Sequence, residues 1–106
     1  MPPPAPAPEV FTLLVTLGRR ADDGLPDGAT GAALLCYAAG RDEPEAVRET
    51  VNVLREAGLN PLDVEGHGTA TELRAAGTEI GAEEAALMAR AAAENAVIVV
   101  QITPFF

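Results

Sequence analysis

The hydrophobic period changes along this chain, and the change limits what it can fold into. From Val10 to Leu17, Phe11, Leu13, Val15 and Leu17 alternate with Thr12, Leu14 and Thr16. An alternation of period two belongs to a strand with one better-buried face. After Asp42 the spacing lengthens: Val47, Thr50, Val51 and Leu54 recur as on one side of a helix, with Glu45, Arg48, Asn52, Arg55 and Glu56 mostly opposite. Neither a helical bundle nor an all-β barrel accommodates both periods, so strands and helices must share a core. At 106 residues the chain has the size of one domain and can bury such a core.

Local signals divide the chain further. Gly18 to Gly31 concentrates turn formers and reads as a long loop, and Ala32 to Ala39 reads as a second strand with small residues on both faces. Asp42-Glu43-Pro44-Glu45 supplies a cap acceptor, a first-turn proline and an acid three residues after the cap, so a helix should start there. Gly58 stops it and Pro61 prevents its resumption. Leu62 to Glu65 alternates again, a third strand expected to run past Gly66 toward Thr71 or Leu73. Thr78-Glu79-Ile80-Gly81 fits a short edge strand. Ala82 to Glu94 is alanine-rich and helical, with Leu87, Met88 and Ala91 toward the sheet and Asn95 as a left-handed cap. Ala96 to Ile102 is the most strand-like segment, and the unbroken apolar run Val97 to Val100 places it at the centre of the sheet. This order predicts a two-layer ferredoxin-like α/β sandwich: a four- or five-stranded sheet, two helices on one face and an extra N-terminal strand. Residues 1–9, with five prolines in the first eight, are expected to be a disordered Pro-rich tail, and 10–106 the single α/β domain.

Composition removes much catalytic machinery. The chain has no lysine, serine or tryptophan, which excludes Schiff-base lysines, P-loop lysines and serine nucleophiles. With one histidine and one cysteine it offers no multi-histidine metal site and no internal disulfide, and neither metal nor cofactor is expected. The net charge of −9 argues against nucleic acid and anionic membrane as partners. The apolar runs are far shorter than the roughly 20 residues of a spanning helix. Met1 to Pro8 lacks the basic and apolar regions of a secretory signal, so a cytoplasmic location is expected.

Few residues remain as candidates. His67 sits between glycines in Glu65-Gly66-His67-Gly68-Thr69, accessible and able to titrate near neutral pH, either as a solvated bend residue or as a general base with Glu65. Asp22-Asp23-Gly24 and Pro26-Asp27-Gly28 carry oxygen ligands but not the spacing of a calcium loop, and read as acidic turns. The acids Glu43, Glu45, Glu83 and Glu84 suit helix N-termini. Cys36, among Leu34, Leu35 and Tyr37, reads as a small buried hydrophobe. Phe105 and Phe106 either fold back over the core or enter an interface.

The run Arg41-Asp42-Glu43-Pro44-Glu45-Ala46-Val47 through Leu54-Arg55-Glu56-Ala57-Gly58-Leu59-Asn60-Pro61-Leu62-Asp63-Val64 resembles the first helix and second strand of ACT domains. These ferredoxin-like regulatory modules typically bind amino acids at subunit interfaces. The resemblance implies a ligand cleft near Gly40, Asp42 and Pro44, with Glu45 standing where the family commonly has glycine.

Three functions are therefore expected, in descending order. The first is a small acidic, non-enzymatic module acting through protein association, with itself as a homodimer or with another protein. The second is an ACT-like sensor of a small molecule, using Gly40, Asp42, Pro44 and His67. The third is a small enzyme built on His67.

Overall fold

The computed structural model describes residues 9–106. The Pro-rich segment expected to be a disordered tail lies outside them, except Glu9, which already pairs with Gly40. The elements run β1 (Glu9–Leu17), β2 (Gly31–Gly40), α1 (Glu43–Glu56), β3 (Pro61–Thr69), α2 (Ala70–Ala75), α3 (Ala82–Glu94) and β4 (Val97–Phe105). This is an α+β fold: one four-stranded antiparallel sheet of order β3-β1-β2-β4, with three helices among the described residues.

The β1–β2 hairpin forms the middle of the sheet, pairing without a slip from Glu9↔Gly40 to Leu17↔Ala32. Gly31 opens β2 because a β-carbon there would run into the Leu17 carbonyl oxygen. The connecting loop is organised by Asp23. Its carboxylate accepts from the backbone N–H of Arg20 (2.9 Å) and of Leu25 (3.0 Å) and from Arg19 Nε (3.0 Å). Those backbone hydrogen bonds, with the Arg19 guanidinium, hold its carboxyl down from 3.8 to about 2. The acidic turn thus uses its oxygens to fold itself.

Register separates the two faces. Phe11, Leu13, Val15 and Leu17 lie opposite Ala38, Cys36, Leu34 and Ala32 on one face, and α1 covers them through Ala46 and Leu54. Thr50, also buried on the inner face of α1, donates its hydroxyl to the Ala46 carbonyl at 2.8 Å, so the polar group is satisfied within the helix. Val10, Tyr37 and Ile98 point the other way and pack on Met88 and Ala91 of α3. The helices thus divide between the faces rather than sharing one, a correction to the expected two-layer arrangement. The physical reason lies in β2, which is apolar on both sides and can receive a helix on either.

Other boundaries also moved. Thr78 to Gly81 form no strand, so of the four or five strands expected the sheet has four. β3 ends at Thr69, short of Thr71, because Thr69 caps a helix: its hydroxyl accepts the Glu72 N–H at 3.1 Å. The spacing Thr69-x-x-Glu72 is a capping-box pattern visible in the sequence. α1 starts as expected, with Asp42 Oδ1 accepting the Glu45 N–H at 2.9 Å. It ends before Gly58, whose φ of +85° returns the chain toward β3. α3 spans the expected residues and ends on left-handed Asn95.

Candidate functional site

β4 lies at one border of the sheet, not at its centre as the apolar run Val97 to Val100 suggested. Pro104 supplies the reason. The Phe105 carbonyl accepts the Thr30 N–H at 2.8 Å, so residue 105 turns its main chain inward. Along a strand these directions alternate, so Thr103 and Gln101 also face β2, while Ile102 and Pro104 face away. A proline, lacking N–H, is tolerated in a sheet where that missing donor would have faced solvent. At the other end the Ala96 carbonyl accepts the Ala39 N–H, which turns Val97 and Val99 outward. The register slip between Leu35 and Cys36 leaves Val100 as the extra residue of a bulge.

The outer edge of β4 is therefore the unpaired main chain of Val97, Val99, Ile102 and Pro104, the last without a donor, and no charged residue occurs after Glu94. The large apolar side chains exposed among the described residues gather here. Val99, Ile102, Phe105 and Phe106 belong to this segment, and Val53 of α1 stands over Val97; only Leu62 lies elsewhere. Phe106 is 81% exposed, so the aromatic pair does not fold back over the core. β3, the opposite border, carries Asp63, Glu65 and His67 with Pro61 at its start.

The remaining sequence candidates take structural positions. Gly40 packs closely on Ala46, Asp42 caps α1, and Pro44 sits exposed in its first turn. Between α1 and the start of β4, beside this segment, lies a cavity of about 400 Å³ lined by Ala39, Glu45, Glu49, Val53, Asn95 and Val97. Arg41 Nε reaches Glu45 Oε2 at 2.7 Å beside it, and that carboxylate raises the arginine's pKa. The sequence marked Asn95 only as a helix cap and did not single out Glu49, because the cavity exists only where α1 meets the α3–β4 turn.

His67 is not among the residues lining that cavity. It projects from the irregular stretch of β3 between the residues opposite Phe11 and Leu13, half-exposed, with Nε2 3.7 Å from Glu65 Oε1. The carboxylate end of Glu43, at the start of α1, lies over Gly66 beside it. The structure thus does not bring His67 together with Gly40, Asp42 and Pro44 in one cavity. Cys36 is fully buried, and burial pushes its thiol up to about 11, where it stays protonated and inert. Tyr37 is raised as well, by burial first and the nearby Glu84 second.

The family described as a domain of unknown function, DUF8846, matches residues 10–106. The chain belongs to that family. No curated protein matches it, and no solved structure does. In this DUF8846 domain no group of three or more His, Cys, Asp or Glu side chains is placed to hold a metal ion among the described residues. No helix there is long and apolar enough to cross a membrane.

Proposed function

We propose that this domain is an association module that pairs with a second copy of itself through β4. One observation carries the reading: the border strand that lacks a partner also lacks charge and displays Val99, Ile102, Phe105 and Phe106. A bare apolar edge is a template for another strand, and natural sheets normally blunt such edges unless they are used. A second copy fits for two reasons. An antiparallel β4–β4 pair continues an all-antiparallel sheet and is self-complementary about a two-fold axis. It also joins two chains of net charge −9 along the one border without carboxylates. Val99 and Ile102 of both copies then meet on the α1 side, where Val53 extends the apolar contact.

Sedimentation of the full chain and of the double variant Val99→Lys with Ile102→Lys tests this. The wild-type chain sediments as a dimer and the variant as a folded monomer. A wild-type chain that stays monomeric at high concentration overturns the proposal.

A second reading, ACT-like sensing of a small molecule, draws support from the cavity between Ala39 and Glu45, directly beside Gly40 to Pro44. The parallel crossover from β2 through α1 to β3, with β1 between the two strands, keeps part of a ferredoxin-like arrangement. The carboxylates of Glu45 and Glu49 over the apolar floor of Ala39 and Val97 suit a small organic cation. Thermal shift against a panel of primary amines and guanidines checks it: stabilisation that Glu49→Gln removes supports sensing, and none from any compound dismisses it.

A further inference from the structure

The α3 side of the sheet is only half covered. α3 rests at one end, on Val10, Tyr37, Ile98 and Val100. Beyond it, register leaves two rows of side chains without a helix: Glu65, Leu14, Leu35 and Gln101, then Asp63, Thr16, Ala33 and Thr103. The middle of these rows forms a shallow groove of about 190 Å³ lined by Leu14, Ala33, Leu35, Gln101 and Thr103. One border of the groove is acidic, from Asp63 and Glu65 on β3. The other carries neutral polar groups from β4, and neither row contains an arginine.

We propose that this groove docks a basic amphipathic helix from another protein. A sheet face with an apolar centre is ordinarily covered by a helix layer, which the α1 side possesses over β1 and β2 and this side possesses only at its α3 end. The occupant's apolar stripe lies along Leu14, Ala33 and Leu35. Its lysines or arginines stand toward β3, against Asp63 and Glu65, and small polar side chains toward Gln101 and Thr103. A second copy of this chain does not suit the surface, because it would bring its own acids and no arginine from the matching rows to meet them. Docking here leaves the outer main chain of β4 free, so the site operates whether or not the domain self-associates.

The test is an NMR titration of the full chain with a synthetic amphipathic Leu/Lys helix and, separately, a scrambled peptide of the same composition. The amphipathic peptide shifts the resonances of Leu14, Ala33 and Leu35 saturably. Replacing both acids (Asp63→Asn with Glu65→Gln) weakens it by about tenfold, the scale of two partly screened ion pairs. Equal binding of the scrambled peptide overturns the proposal, because it reduces the effect to net charge. Shifts confined to Val99 and Ile102 also overturn it, by placing the partner on the β4 edge. So does movement of Leu14 and Leu35 when the chain alone is concentrated, which would make a second copy the occupant.

Discussion

β3 and β4 border the same sheet, yet they treat their unpaired main chain in opposite ways. β3 starts at Pro61, presents Asp63 and Glu65, and breaks its register around Gly66 to Gly68. Charge, proline and irregular pairing are the devices that stop an edge from recruiting another strand. β4 has valine and isoleucine at its outward positions, a bulge at Val100, and a proline only near its end. Both borders carry a proline and irregular pairing; what separates them is charge, present on β3 and absent from β4. An acidic chain that could have placed any of its 16 carboxylates on β4 placed none there.

The largest effect expected from breaking this contrast comes from charging the open edge. In the double variant Val99→Lys with Ile102→Lys, the dissociation constant of the proposed dimer should rise by about 10² to 10³-fold, the cost of unpaired charge in a closed contact. Analytical ultracentrifugation reads it, and circular dichroism confirms the retained fold. The reverse experiment opens the closed edge: Asp63→Val with Glu65→Val gives each chain a second adhesive border. Light scattering should then show open-ended oligomers growing with concentration, where the proposed β4 pairing alone would stop at a dimer.

A smaller effect connects the loop to the end of β4. Asp23 folds the segment that delivers the Thr30 N–H to the Phe105 carbonyl. Its folded pKa is depressed, so its stabilisation is complete above the ordinary carboxylate value and is lost as pH falls through about 2. Asp23→Ala should therefore lower the thermal midpoint at neutral pH by several degrees. The gap from wild type should shrink steadily in scans taken below about pH 4. A gap that stays constant with pH would mean that the carboxylate does not hold the loop. Asp42→Ala removes the α1 cap and should cost about 1 kcal/mol in urea unfolding, with the dimer unchanged. The smallest effect belongs to β3: His67→Ala should alter stability by less than about 0.5 kcal/mol and leave association untouched.

Much of the local structure was legible because its signals are short-range. The Asp42 cap with Pro44 in the first turn, the Gly58 stop and the Asn95 cap each act within a few residues, and each stands where the sequence placed it. Thr69 was legible in principle, since its capping pattern with Glu72 is equally local, but the alternation of β3 masked it. Phe105 and Phe106 were recognisable as out of place, while the edge that gives them a context was not. Glu49, Val53 and Asn95 became neighbours only through packing of α1 against the α3–β4 turn.

Periodicity along one element reports which of its sides is apolar, because that is a property of consecutive residues. With the local signals it therefore determined β1, β2, α1, α3 and β4, the caps Asp42 and Asn95, and the split of β1 into a Phe11–Leu17 side and a Thr12–Thr16 side, but not α2, which it read as more of β3. It does not report which element meets that side, because pairing joins residues far apart in sequence and β2 is apolar both ways. Strand order, the transfer of α3 to the opposite face and the position of β4 at the border were decided by tertiary structure alone. Pro104 then shows why the most strand-like segment of the chain belongs at an edge: the donor it lacks would have left a central ladder broken.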